Sequence, residues 1–137
     1  MGALARAWQK PRGLALDVAP AAVALAVMFW AGLVPLDSLP GPDFELADKV
    51  WHLTAFGGLA GLLSRVLVHF GRPALLAARD AVLCATALGG VLELLQSLTP
   101  YRSADWADFA ADALGTALAY GVLRGLNAAA TASRSLA

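Results

Sequence analysis

Between Asp17 and Asp37 the chain carries no ionisable side chain. An apolar run of this length, Val18 to Leu36, reaches across roughly 30 Å of hydrocarbon at about 1.5 Å per residue. Arg6, Lys10 and Arg12 precede it, so a secretory signal peptide competes with a retained helix. The run is long for a signal peptide, and no clear small-x-small cleavage site follows Trp30. A retained helix fits better. Pro20 falls near its start, where a missing backbone N–H costs little.

Three further apolar segments follow. The stretch Pro35-Leu-Asp-Ser-Leu-Pro-Gly-Pro-Asp43 is too rich in proline and glycine to be helical. A second span is predicted over about 48–70 and is broken by Phe70-Gly-Arg-Pro73. A third covers about 79–98 and closes at Thr99-Pro100, and a fourth covers about 104–126, with the first at about 16–36. The Ala- and Ser-rich tail after it is expected to fray. The chain is 59% hydrophobic and 15% charged, against about 25% charged in an ordinary soluble domain. Its solvent is therefore lipid over much of its surface. A soluble Ala-rich bundle is the alternative, but its outer faces would need Lys and Glu that these segments lack. Residues 1–137 form one domain: an all-α, integral membrane four-helix bundle. Cys84 excludes an intramolecular disulfide and is expected to be a small buried hydrophobe.

Charge distribution sets an orientation. With the N-terminus in the cytoplasm, Arg6, Lys10, Arg12, Arg65, Arg72, Arg79, Arg124 and Arg134 all fall inside. Only Lys49 and Arg102 fall outside, which satisfies the positive-inside rule. Trp30, Trp51, Tyr101 and Trp106 gather at the outer interface, where amphipathic rings prefer to sit. Both signals give N-in, C-in. A bacterial cytoplasmic membrane is the expected location. The equal count of ten basic and ten acidic residues lends no support to a nucleic-acid partner.

The same topology sends Asp37, Asp43, Glu45, Asp48, Glu93, Asp105, Asp108 and Asp112 to the outer side. Helical spacing collects the inner members of this set. Asp48 and His52 are four apart, Glu93 and Gln96 three apart, and Asp105, Asp108 and Asp112 make one stripe. Glu93 and Asp112 are expected about seven residues from their helix ends, roughly 10 Å deep. A lipid-facing carboxylate there costs about 2.5–3.5 kcal/mol on insertion scales. These groups must therefore face one another, or water, inside the bundle, and three helices contribute to one polar site.

Asp48-Lys49-x-x-His52, Glu93-x-x-Gln96 and Arg102-x-x-Asp105-x-x-Asp108-x-x-x-Asp112-x-x-Gly115 together resemble the VanZ-like family. The resemblance covers about 48–121, with a matching apolar helix upstream. It departs at Asp112, where the family pattern usually has Asn. It implies a four-helix bacterial membrane protein of the cell envelope. The family's namesake is associated with resistance to the glycopeptide teicoplanin, and many members have no link to resistance.

Each candidate has a plain role beside a chemical one. Asp105 and Asp48 suit the N-termini of their helices as caps, and Lys49 can snorkel to the interface. His52 can bond Glu93 or Asp108, or serve with Glu93 as an acid/base pair. Arg102 can pair with Asp105 in the loop or clamp an anionic head group. Gly57, Gly58, Gly61, Gly89 and Gly90 suit close helix packing, and His69 is expected to have no special role. Asp48, Lys49, Gln96, Arg102, Asp105, Asp108 and Asp112 are the candidate ligand-binding residues. Their excess of acid makes a poor phosphate site unless carboxylates are protonated or a divalent cation bridges them. No cofactor is otherwise expected, and no metal ligand set is assigned.

Three functions fit. The first is recognition of an envelope component at the outer face, either a lipid-linked cell-wall intermediate or a glycopeptide antibiotic. The second is an enzyme acting on a lipid-linked substrate through His52 and Glu93, without an activated Ser97 or Ser103 nucleophile. The third is a structural partner in a larger membrane complex. Membrane lipids are partners in every case.

Overall fold

The structure is a computed structural model and describes residues 2–35 and 46–135. Five helices are found there, and no strand among the described residues: α1 (Gly2–Trp8), α2 (Leu14–Leu33), α3 (Ala47–His69), α4 (Ala74–Gln96) and α5 (Trp106–Ser135). The Pro- and Gly-rich connection, with Asp37, Asp43 and Glu45, lies outside the described residues.

Three helices, α2, α3 and α4, are long and apolar enough to cross a membrane. The fourth predicted span, α5, is longer than any of them and carries Asp108, Asp112 and Arg124. Helix boundaries differ from the sequence pattern in ways that have physical causes. α2 begins at Leu14, so Pro20 lies inside it and removes the donor that the Leu16 carbonyl would take from position i+4. α4 begins directly after Pro73, whose fixed φ of −54° suits a helix entry. The Ala- and Ser-rich tail is helical to Ser135. There α1 covers it: Arg6 Nη1 donates to Ser133 Oγ at 2.8 Å and Gln9 Nε2 to Asn127 Oδ1 at 2.9 Å.

The turn between α3 and α4 follows from its sequence. Gly71 takes φ +86°, the left-handed conformation that glycine adopts without cost. Gly71 N–H then donates to Val68 O, and Arg72 N–H to Leu67 O at 2.9 Å. This closes α3 in a Schellman-type stop, and Pro73 turns the chain into the antiparallel α4.

α3 is the central helix, packed on α2, α4 and most extensively on α5. Close approach of α3 and α5 depends on Gly57 and Gly115. A Cβ on Gly57 would meet the Gly115 carbonyl oxygen at 2.9 Å, and one on Gly115 would collide with the Leu53 carbonyl. Gly58 and Gly61 have open space instead, so the packing role expected for them does not apply. Between α4 and α5, Thr86 and Thr116 share a 2.8 Å hydrogen bond.

The interior is built of small residues and the exterior of large ones. Ala60 and Ala85 are fully buried in one cluster with Phe56, Leu59 and Leu92, and Ala77, Ala78 and Ala81 are fully buried as well, whereas Val23, Val27, Leu83, Leu94, Leu118 and Val122 point outward. Such inversion suits a bundle whose surroundings are as apolar as its core, because association then depends on close backbone packing. Cys84, expected to be buried, lies on the exposed face of α4 beside Leu83.

Candidate functional site

The C-terminus of α2 leaves its last carbonyls without intrahelical donors, a costly state where water is scarce. Side chains from α4 and the loop before α5 supply them. Gln96 Nε2 donates to Gly32 O at 3.0 Å, Tyr101 Oη to Leu33 O at 3.0 Å, and Arg102 to Ala31 O and Val34 O at 3.3 and 3.2 Å. Gln96 and Arg102 thus anchor α2, and the pairing of Arg102 with Asp105 is replaced by these carbonyl contacts.

A second set of contacts ties α3 to α5. Lys49 Nζ reaches Asp108 at 2.7 Å and Asp105 at 3.0 Å. Asp105 also accepts the Ala107 N–H at 2.8 Å, the N-cap bond expected of it at the start of α5. That bond, then the Lys49 ammonium, holds the Asp105 carboxyl below its ordinary range. Asp48 does not cap α3. It lies in the first turn, with Leu46 at the cap position. Its carboxylate instead lines a cavity of about 190 Å³ with Gln96, Tyr101, Arg102, Ser103, Asp105 and Asp108.

One turn further into the bundle on each of three helices sit His52, Glu93 and Asp112, all buried. His52 Nδ1 is 2.9 Å from Asp112 Oδ1 and 4.0 Å from Glu93 Oε1. The other Glu93 oxygen accepts the Asp105 N–H at 2.8 Å, which fixes α4 to the start of α5. Glu93 Oε1 and Asp112 Oδ2 are buried and have no hydrogen-bond partner among the described residues. α4 ends at Gln96, so Glu93 sits in its last turn, closer to the end than seven residues. Asp112 is fully buried, as its depth predicts. The partner of His52 is Asp112, not Glu93 or Asp108.

Gly89 makes room for this arrangement. A Cβ there would overlap the Asp112 carboxylate, whereas one on Gly90 would only touch Phe109 at 3.4 Å.

The structure therefore gathers all nine candidate residues at one end of the bundle. Trp30, Trp51, Tyr101 and Trp106 are exposed around that end. A family model described as VanZ/LLP1 matches residues 12–127. The chain belongs to the VanZ-like family. No curated protein matches it, and no solved structure matches it. In this VanZ-like protein the matched region takes in α2 to α4 and most of α5, so the family region carries both the apolar helices and the polar site. It is a multi-pass membrane protein by its family and its three apolar helices.

A second polar group occupies the opposite end of this VanZ-like bundle. Asp17 and Arg65 are buried together, with Arg65 Nη2 2.7 Å and Nε 3.2 Å from Asp17 Oδ1. The other Asp17 oxygen accepts the Arg12 N–H at 2.8 Å and lies 3.2 Å from His69 Nδ1. Arg65 also donates to the Trp8 and Lys10 carbonyls, and its guanidinium lies 5.3 Å from the Trp8 ring centre. His69, given no special role by its position in the sequence, belongs to this group. The available signal was one isolated charge of each sign at the same end of two neighbouring apolar segments.

Proposed function

We propose that this chain is a four-span, N-in/C-in protein of the bacterial cytoplasmic membrane that recognises the head group of a lipid-linked envelope component from the outer side. The observation that carries this reading is the cavity between α3, α4 and α5, walled by Asp48, Asp105 and Asp108 and ringed by exposed tryptophans. The basic residues Arg6, Lys10, Arg12, Arg72 and Arg79 lie toward the other end of the bundle, the cytoplasmic one under the positive-inside rule.

A cavity of about 190 Å³ accepts part of a sugar or peptide head group, with the acyl portion left in lipid. A glycopeptide antibiotic of the teicoplanin class could present only one substituent to it. The two cations at the rim, Lys49 and Arg102, already hold carboxylates and carbonyls. Recognition therefore relies on acceptors, which favours hydroxyl, amide or ammonium groups on the ligand.

Native mass spectrometry of the detergent-purified protein tests this reading. A lipid-linked envelope adduct retained by the wild type and absent from well-folded Asp48→Asn and Asp108→Asn supports it. An adduct that survives both changes places the ligand elsewhere and overturns it.

A second reading, acid/base chemistry on the same lipid-linked substrate, is favoured by one observation: His52 is held 2.9 Å from Asp112 and 4.0 Å from Glu93. Paired titratable groups in a shielded site suit proton transfer. Turnover of an envelope-lipid panel by the wild type, lost in His52→Gln, is its expected signature. Retention of intact ligand without turnover rules it out.

A further inference from the structure

Three buried groups meet at the base of the cavity, one from each of α3, α4 and α5. His52, Glu93 and Asp112 each offer a ligand atom, and those atoms all lie within 4.8 Å of one another. Two observations separate this trio from an ordinary hydrogen-bonded cluster. Glu93 is 6% exposed and its Oε1, facing His52 Nδ1 at 4.0 Å, has no hydrogen-bond partner among the described residues. Asp112 is fully buried and its Oδ2 likewise has none among them. Buried acceptors of this kind are expected to find a donor or a cation.

Charge gives the same direction. With both carboxyls ionised and the imidazole neutral, the trio carries two negative charges, which a single divalent ion balances. A proton on His52 balances only one. Among the described residues the surroundings supply no second cation: Lys49 is committed to Asp105 and Asp108, and Arg102 to the end of α2.

We propose that His52, Glu93 and Asp112 bind one divalent metal ion at the base of the cavity. The imidazole donor favours a first-row ion such as Zn²⁺ or Mn²⁺ over Mg²⁺ or Ca²⁺, which prefer oxygen alone. Ligand bonds of about 2.0–2.2 Å need small shifts: Glu93 Oε1 moves toward His52, and the 2.9 Å contact of His52 with Asp112 opens. Three protein ligands leave a coordination position free. Asp48 and Asp108, whose ligand atoms also lie within 4.8 Å of one on His52, border the route from the cavity to the ion. A phosphate or carbonyl oxygen entering the cavity could take the free position. That last step rests on the cavity being the ligand site; metal binding itself does not.

The test uses the full chain in detergent, with any affinity tag removed and metal stripped by chelator. Titration with Zn²⁺ and with Mn²⁺ alone is expected to give one ion per chain, bound at least tenfold more weakly by Glu93→Gln and by Asp112→Asn. Asp80→Asn, a carboxylate paired with Arg72 and Arg79 at the opposite end, is expected to leave binding unchanged. Should the site variants fold poorly, pulsed electron paramagnetic resonance of Mn²⁺ on the wild type decides. Nitrogen coupling that persists in His69→Gln assigns His52 as a ligand. Absence of stoichiometric binding, or of that coupling, overturns the site. A metal-loaded protein that retains no envelope ligand leaves the metal site standing and removes the recognition reading.

Discussion

The Asp112 carboxylate lies 2.9 Å from His52 Nδ1 because position 89, across the α4–α5 contact, has no Cβ. A residue that makes space and a residue that fills it are therefore one unit. Gly89→Ala should push Asp112 off His52 and cost about 1–3 kcal/mol by overpacking. Gly58→Ala, in open space, should be neutral or slightly stabilising, since Ala is favoured over Gly in helices by about 1 kcal/mol. Reversible unfolding of both variants in mixed detergent distinguishes them. Equal midpoints would sink the packing argument.

The Asp17–Arg65 pair should be the most sensitive polar contact outside the cavity. Removing one partner leaves the other buried and uncompensated, at a cost of about 3–5 kcal/mol. Asp17→Asn and Arg65→Met are each expected to approach this range, and the Asp17→Leu/Arg65→Met double variant to recover part of it. A double-mutant cycle on the same unfolding assay measures the coupling. Additive single losses would show that the two side chains act independently.

How much of this was legible in the sequence depends on the range of the interaction involved. The apolar run Val18–Leu36 and the breaks at Phe70–Pro73 and Thr99–Pro100 are local signals, and α2, α3 and α4 follow them closely. The site residues were also locally marked, because spacings of three and four place Asp48 with His52 and Asp108 with Asp112 on common faces. What sequence could not give was which face meets which. The α2 carbonyls that occupy Arg102 are backbone groups with no residue signature, so Arg102 looked free to bind Asp105 or an anion. Asp17 and Arg65 lie in separate spans, and nothing local pairs them. The helical tail to Ser135 depends on α1 covering it, a contact between opposite ends of the chain.

Tyr101 isolates the value of anchoring α2 from outside. Its hydroxyl donates only to Leu33 O among the contacts described, so Tyr101→Phe removes one hydrogen bond and little volume. A loss of about 1 kcal/mol is expected. Arg102→Lys should cost more, because an ammonium cannot span Ala31 O and Val34 O as a planar guanidinium does. Protease accessibility near residue 34 should rise in the order wild type, Tyr101→Phe, Arg102→Lys. No change in either variant would detach these side chains from the stability of α2.

Asp105 gives a pH dependence with a definite sign. Its folded carboxyl is held below the ordinary value of 3.8, first by the Ala107 N–H and then by Lys49. A carboxylate depressed on folding contributes stability that is fully present above its unfolded value. That contribution is lost as the pH falls from about 3.8 through the lower folded value. Asp105→Asn keeps a cap acceptor but does not titrate, so its stability relative to wild type should improve below pH 4. Parallel pH curves for the two proteins would show that Asp105 titrates alike in both states.

Membrane orientation can be tested at the helix that hydropathy identifies least well. α5 carries buried Asp108 and Asp112 near its start, charges that lower its apolar character although they face the bundle, not lipid. In the proposed four-span topology its crossing would depend on docking against α3 at Gly57 and Gly115. With four spans and the N-terminus inside, a reporter fused after Ser135 should be cytoplasmic: green fluorescent protein should fluoresce and alkaline phosphatase should stay inactive. Gly115→Leu drives a large side chain toward the Leu53 carbonyl and should weaken that docking, giving a mixed orientation of the C-terminal reporter. A fusion before α5, near Ser103, should report the outer side in both proteins. An active phosphatase after Ser135 in the wild type would leave α5 on the outer side and remove the four-span topology. A wild-type pattern in Gly115→Leu would instead show that α5 inserts without help from α3.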